Sequence, residues 1–111
     1  MKEGKSKLTL ALIYAFNEKL TLNLLRVGCD KTNYKIIKRL PTTMIKLQKE
    51  LDITKMPLNK RVNDLEGVGL LIRKRYEGIV KETKISKKFL RVVDSLKVCV
   101  EKNLVDLISL K

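Results

Sequence analysis

Four neighbouring polar residues have side chains suited to reading nucleic acid: Asn59, Lys60, Arg61 and Asn63. They fall in residues 55–66, whose spacing of apolar positions is that of an amphipathic helix. The hydrogen-bonding groups of asparagine and arginine match the edges of adenine and guanine in the major groove. The pattern therefore predicts contact with DNA, although in isolation it is also typical of a solvated helix surface.

A second helix pattern precedes this segment after a very short turn. Thr42 or Thr43 is a suitable N-cap for a helix that ends near Leu51, and Thr54 is a suitable N-cap for residues 55–66. The apolar residues of the later helix recur every three or four positions: Leu58, Val62 and Leu65. Two helices joined in this way indicate a helix-turn-helix, whose second helix enters the major groove.

Two short strand patterns follow the helix pair, at residues 70–76 and 79–85. The turn between them is expected at residues 77–78, and the hairpin must pack on the helices because one hairpin is not stable alone in water. Beside the turn, Arg73, Lys74 and Arg75 make a concentrated positive patch that we expect to contact phosphate. The alternative is an edge strand kept soluble by charge.

The composition favours a partner of opposite charge. The 111 residues include 25 basic and 12 acidic side chains, which gives a net charge of +13. Such a surplus predicts attraction to a polyanion, while a lysine-rich protein-binding surface is the alternative. The hydrophobic fraction of 44% is that of one folded domain rather than a disordered chain.

Few residues in the chain are suited to catalysis or metal binding. The chain has no histidine, and Cys29 and Cys99 stand 70 positions apart, so no zinc site, cofactor or catalytic group is expected. Both cysteines are predicted to be small buried residues in a reducing cytoplasm. The apolar run at residues 8–16 has no cleavage site after it and is too short to span a bilayer, so we expect a cytoplasmic protein without membrane contact.

The two ends of the chain are predicted to form long helices that join two copies. At the N-terminus, residues 1–29 present apolar positions that include Ile13, Phe16 and Leu20. At the C-terminus, residues 86–111 should form a helix capped by Ser86. Its apolar positions alternate spacings of four and three and form a heptad seam: Phe89, Val93, Leu96, Val100, Asn103, Leu107 and Leu110. The single asparagine is typical of a position that fixes register between paired helices, and packing of the heptad seam against the chain's own first helix is the alternative.

The middle of the chain, residues 34–86, resembles the winged-helix regulators of the MarR and ArsR type. The resemblance depends on the helix, cap, helix and hairpin succession, with Leu65-Glu66 at the end of the recognition helix and Gly69-Leu70 opening the first wing strand. It implies that residues 55–66 are the recognition helix and residues 73–81 the wing. The Cys-x-Cys metal motif of arsenic-type sensors is absent, and Met56-Pro57 replaces the usual serine-threonine pair.

Taken together, the sequence predicts a mostly α, α+β winged helix-turn-helix (residues 34–85) between two dimerisation helices, in one domain of 111 residues. The predicted function is a homodimeric, sequence-specific regulator of transcription that binds double-stranded DNA. The alternatives are a non-specific architectural DNA-binding protein and a protein-interaction module. The residues expected at the DNA are Thr43, Thr54, Lys55, Met56, Pro57, Asn59, Lys60, Arg61, Asn63, Asp64, Arg73, Lys74, Arg75, Tyr76 and Lys81.

Overall fold

The computed structural model describes residues 7–110, with side chains described from Tyr14 to Ser109. The described part is mostly helical and has one small antiparallel sheet, so the predicted α+β, mostly α class is confirmed. The elements in chain order are α1 (Lys7–Gly28), α2 (Lys31–Lys38), β1 (Thr42–Thr43), α3 (Met44–Leu51), α4 (Lys55–Gly67), β2 (Ile72–Lys74), β3 (Ile79–Lys81) and α5 (Lys84–Leu110).

The sheet has three strands rather than the two predicted. Its order is β1-β3-β2, with both pairs antiparallel. The added strand, Thr42–Thr43, was expected only to cap a helix, but it also pairs with Ile79 and Val80 of β3. The hairpin strands are three residues each, shorter than predicted, because the chain turns at residues 75–78 and α5 begins already at Lys84.

The turn between α3 and α4 is short and tightly bonded. Thr43 caps α3 as predicted, its side chain accepting a hydrogen bond from the Lys46 backbone N–H at 3.2 Å. Asp52 ends α3 in the left-handed conformation (φ 54°), and the Ile53 N–H reaches back to a carbonyl of the last turn. Thr54 has the extended backbone of an N-cap, but its side chain makes no capping bond.

A compact core lies where the helices meet the inner face of the sheet. The apolar stripe predicted for the second helix is confirmed, since Leu58, Val62 and Leu65 are fully buried. Other residues from α2, α3, the α4–β2 connection and the sheet complete the core: Ile36, Ile37, Leu47, Leu70, Leu71 and Val80. The core therefore fixes α4 against the sheet and leaves one side of that helix in solvent.

Phe89 belongs to this core and not to a surface between chains. The prediction that it lies at the dimer interface is therefore wrong: its ring is 4% exposed and packs edge-on to Tyr34, with centroids 6.3 Å apart. The ring also covers Gly28 at the end of α1, where a Cβ atom would stand 2.8 Å from Phe89 Cζ. Glycine thus allows α1 and α5 to approach each other at this point. Val93, one turn further along α5, packs partly against the same core.

The start of α5 differs from the prediction by two residues. Ser86 was expected to cap the helix, whereas Thr83 precedes its first turn and Ser86 lies within it. The two side chains bond reciprocally: Ser86 Oγ accepts from the Thr83 N–H at 2.8 Å, and Thr83 Oγ1 accepts from the Ser86 N–H at 3.0 Å. This is the geometry of a capping box, with serine in the place of the usual glutamate.

Parts of α1 and α5 project from the core. We call residues 14–23 and 96–109 the arms, because every side chain in both ranges is exposed. The molecule consequently measures 53 × 52 × 19 Å, with a radius of gyration of 18.1 Å, where a compact chain of this length has about 13 Å. Among residues 7–110, no helix combines the length and the apolarity needed to cross a bilayer.

Candidate nucleic-acid interface

The outer side of α4 presents most of the residues predicted there. This outer side consists of exposed residues only: Lys55, Met56, Pro57, Lys60, Asn63 and Asp64. The Met56 side chain is 82% exposed, and Pro57 stands in the first turn, where its missing N–H leaves no helical bond unmade. Thr54 is exposed just before the helix, whereas the half-buried Thr43 uses its hydroxyl to cap α3.

Arg61 is turned away from this outer side. Its Nη1 donates to Asp30 Oδ2 at 2.6 Å and to Asn33 Oδ1 at 3.2 Å, in the loop and first turn that follow α1. The buried Asn33 in turn donates to the carbonyl of Val27. This arrangement does not favour the predicted role of Arg61 near base edges, because the Arg61 guanidinium joins α4 to the α1–α2 region.

Asp30 and Asn33 were not predicted to matter, and nothing in their spacing relates them to Arg61. Asp30 is the N-cap of α2, where its carboxylate accepts the backbone N–H of Asn33. That bond, followed by the charge of Arg61, lowers the pKa of Asp30 from its ordinary value, against the opposing effect of burial. The preceding Gly28 and the capping pattern were the only sequence signals for this loop.

Arg73 also bonds within the chain. Its Nη2 donates to Asn59 Oδ1 at 2.7 Å, and its Nη1 donates to Asn63 Oδ1 at 3.2 Å. The predicted wing arginine and two predicted base-reading asparagines therefore form one cluster between β2 and α4. Arg73 Nε is buried and has no hydrogen-bond partner among the described residues.

The rest of the hairpin points its charges outward. Lys74, Arg75, Tyr76 and Lys81 are all exposed. Arg75 makes a 3.4 Å ion pair with Glu66 at the end of α4, and 64% of its side chain stays exposed. Such a pair at the surface contributes little stability, so the guanidinium remains able to exchange it for a phosphate.

The hairpin is held at a fixed place beside the helix pair. The N–H of Met44, the first residue of α3, donates to the carbonyl of Gly78 at 3.0 Å. Gly78 has a φ of +64°, which glycine adopts at no steric cost. At the other end of the hairpin, Thr83 Oγ1 donates to the Gly69 carbonyl at 2.7 Å. These bonds orient the outward charges of the hairpin relative to α4.

The residues predicted to join two copies divide into three groups. Phe16, Leu20, Leu96, Val100, Asn103 and Leu107 are exposed on the arms. Phe89 and, in part, Val93 are used by the core. The side chains of Ile13 and Leu110 lie outside the described residues. Since the heptad seam is exposed beyond Val93, the alternative in which it packs against the chain's own first helix is not the arrangement found.

Chemistry of other kinds has little support in the part of the chain that is described. Both cysteines are exposed, which corrects the prediction that they are buried, because Cys29 falls in a surface turn and Cys99 on an arm. Within residues 7–110 no three side chains of histidine, cysteine, aspartate or glutamate are grouped as metal ligands. Comparison of the chain with protein-family models, curated proteins and solved structures finds no match.

Proposed function

We propose that this protein is a homodimeric winged-helix regulator of transcription that binds a specific sequence in double-stranded DNA. The observation on which the proposal depends is the placement of the exposed side of α4 next to an outward-charged hairpin. Lys60 on the helix and Lys74, Arg75 and Lys81 on the hairpin supply exposed cations to this region of two neighbouring elements. A helix in the major groove and a hairpin on the adjacent backbone would use this region together.

The order of the elements supports the winged-helix part of the proposal. From α2 onward the chain runs helix, strand, helix, helix, strand, strand, and the first strand pairs with the last. This pairing places the hairpin beside the helix pair, with its turn bonded to the start of α3. In a winged helix, α4 is then the recognition helix and the turn at residues 75–78 is the tip of the wing.

The exposed surface area of the chain supports the proposal that the protein is a homodimer. A folded monomer of 12.8 kDa exposes about 6,300 Å², whereas this chain exposes 8815 Å². The excess is of the order that one subunit buries in a large obligate interface. The arms expose large apolar side chains, since Phe16, Leu20 and Leu107 are each more than half exposed. A second copy of the chain is the partner that covers both arms by symmetry.

Dimerisation would also give the protein its specificity. One recognition helix reads only a few base pairs, so two copies related by a two-fold axis read a site of two half-sites. Their centres lie about 34–36 Å apart when both helices enter the same face of the duplex. The arms set this distance, and α4 supplies the contacts with bases.

A second candidate is an architectural protein that binds DNA without regard to sequence. The bonding of Arg61 to Asp30 and Asn33 favours it, because a guanidinium so engaged does not read guanine. Binding of this kind depends on phosphate contacts alone and weakens steeply with salt. A specific regulator instead retains a preference for its own site as the salt concentration rises.

Selection of binding sites from random duplexes, carried out at two salt concentrations, tests the proposal. We expect an enriched sequence with two-fold symmetry that persists at the higher salt. Enrichment of no sequence, with binding lost at the higher salt, would establish the architectural alternative instead. Retention of no duplex at either concentration would contradict DNA binding altogether.

A charge-matched pair of variants locates the contact surface. The first replaces Lys60, Lys74, Arg75 and Lys81 by alanine. The second replaces Lys31, Lys35, Lys38 and Lys88, which are also exposed but lie on α2 and α5, away from this surface and outside the arms. If each of the first four residues neutralises a phosphate, the DNA-binding constant of the first variant depends less steeply on salt. The magnitude of the slope of its logarithm against the logarithm of the salt concentration should fall by about 3 to 4. Equal effects of the two variants would contradict the assigned surface, and no effect of either on function in the cell would favour the protein-interaction module.

A further inference from the structure

We propose that Arg73 determines which base α4 selects, by holding the side-chain amides of Asn59 and Asn63 in one orientation. This inference rests on the proposed function, because it concerns the DNA-facing side of the same helix. It assigns to Arg73 a positioning role, different from the phosphate contact that its place in a basic hairpin suggests. This role implies that the ligand is a DNA half-site that contains guanine, to which the side-chain NH₂ groups of the two asparagines donate.

The backbone register explains why Arg73 faces the helix. Arg73 of β2 stands directly opposite Val80 of β3, and directly opposed residues of an antiparallel pair project from the same face. Val80 is fully buried, so this face is the inner one. Lys74 and Ile72, the chain neighbours of Arg73, therefore project from the outer face.

The guanidinium spans one turn of α4. Asn59 and Asn63 are four residues apart and lie on the same side of the helix. Arg73 bonds one with each of its terminal nitrogens, at 2.7 Å to Asn59 Oδ1 and 3.2 Å to Asn63 Oδ1. Its Nε is buried, while the side chain as a whole is half-buried and the bond to Asn63 lies at the surface.

The chemistry of the guanidinium fixes which amide atoms it can hold. Arginine has donors only, so the atom of each asparagine that faces it must be the carbonyl oxygen. The NH₂ group of each amide is then directed away from Arg73. Asparagine otherwise reaches either orientation by turning its amide over, and the two bonds remove that choice.

The fixed amides differ in their fit to the two purines. Adenine pairs with asparagine through its N6 amino donor and its N7 acceptor, and therefore needs both the oxygen and the NH₂ of the amide. Guanine offers two acceptors, N7 and O6, to which an NH₂ group donates. Each Oδ1 already accepts one bond from Arg73 and faces it, whereas neither NH₂ group has a partner among the described residues. The NH₂ donor is thus the part of each amide that is free for a base, and α4 favours guanine at the positions that Asn59 and Asn63 reach.

The substitution Arg73→Lys separates geometry from charge. Lysine keeps the positive charge but is a point donor that cannot bridge two oxygens as the fork does. The matched control is Arg91→Lys, the same substitution at an exposed position of α5 that lies outside both the bridge and the charged hairpin. Both variants and the wild type are put through selection from random duplexes, and the preference for guanine over adenine is compared at each enriched position.

We expect Arg73→Lys to lower the guanine-to-adenine ratio about tenfold at two positions of each half-site, in line with the discrimination of one good base contact. Arg91→Lys should leave the ratio unchanged. An unaltered ratio in Arg73→Lys would overturn this inference while the proposed function stands. Absence of any enriched site for the wild type would overturn both.

A readout without DNA tests the bridge itself. The side-chain NH₂ groups of Asn59 and Asn63 give separate proton and nitrogen signals in nuclear magnetic resonance spectra. Release of the two oxygens in Arg73→Lys should shift both pairs of signals and speed exchange of their protons with water, with the fold retained. Shifts as large in Arg91→Lys, or none in Arg73→Lys, would show that the bridge does not hold the amides.

Discussion

The compact module at residues 27–93 and the arms differ in how their apolar side chains are covered. In the module, eleven apolar residues are buried by the chain itself, among them Leu47 and Leu58. In the arms, apolar side chains as large as Phe16 and Leu107 are more than half exposed. The module is therefore covered by the chain's own side chains, while the arms leave large apolar side chains exposed.

The helix α5 passes through both regions along one face. Its apolar positions keep the same spacing from Phe89 to Leu107, yet Phe89 is 4% exposed and Leu107 is 57% exposed. Periodicity of this kind predicts that a helix face is covered. It does not indicate what covers it: the chain's own core covers Phe89, whereas the same face is exposed beyond Val93.

The largest expected effect comes from placing charge on the outer part of the heptad seam. In the variant Val100→Glu, Leu107→Glu, the two-fold dimer would bury unpaired carboxylates, each costing several kcal/mol. We expect the dimer dissociation constant to rise at least about a thousandfold, equivalent to about 4 kcal/mol. Sedimentation equilibrium measures it directly.

The matched control for that variant is Val98→Glu, Val105→Glu. These residues are equally exposed on the same arm, but each lies about 200° around the helix from its counterpart. The control should stay dimeric. A wild-type chain that sediments as a monomer at high concentration would contradict the assignment of the arms, as would equal behaviour of the two variants.

A core deletion in the module should have the next largest effect. Leu58 is fully buried on α4, and Leu58→Ala should lower the free energy of unfolding by about 2–5 kcal/mol. Met56, two residues earlier and 82% exposed, provides the control: Met56→Ala should change it by less than about 0.5 kcal/mol. Chemical denaturation at one protein concentration measures both, and similar losses would contradict the placement of α4.

The junction between the two regions is sensitive to one added methyl group. In Gly28→Ala, the new Cβ would stand 2.8 Å from Phe89 Cζ and 3.0 Å from Leu70 Cδ1. Overpacking of this kind should lower the free energy of unfolding by about 1–3 kcal/mol.

A double-mutant cycle with Phe89→Leu tests the cause of that loss. Leucine lacks the far end of the ring, so Gly28→Ala should cost less in the Phe89→Leu background by about 1 kcal/mol. The same cost in both backgrounds would show that the contact with the ring is not responsible.

Local patterns in the sequence predicted the elements of the fold well. The cap at Thr43, the stripe at Leu58, Val62 and Leu65 and the glycine turn at Gly78 each depend on neighbouring residues, and each was found as predicted. The third strand was missed because two residues have no periodicity. Its pairing depends on β3, which is almost forty residues away along the chain.

The candidate site was predicted in its residues but not in its internal bonds. Arg61 and Arg73 were selected for their chemistry, and both lie on or beside α4. Asp30, which bonds Arg61, is 31 residues away from it along the chain, and Asn59, which bonds Arg73, is 14 residues away. Such bonds depend on how elements pack, and neither residue type nor local spacing contains that information. Exposure of the cysteines was missed for the same reason.

The smallest expected effect concerns Asp30, whose ion pair with Arg61 joins the end of α1 to the module at 2.6 Å. The pKa of Asp30 is lowered in the folded state, so its carboxylate stabilises the fold fully above its unfolded pKa of about 3.9. That contribution is lost as the pH falls through the folded value.

Asp30→Asn keeps an N-cap but removes the charge. The wild type should therefore exceed Asp30→Asn in free energy of unfolding by at most about 1 kcal/mol at neutral pH, because 45% of the side chain is exposed to solvent. The difference should shrink between pH 5 and the acid limit of folding; a difference that stays constant with pH would mean that the charge of Asp30 does not stabilise the contact with Arg61.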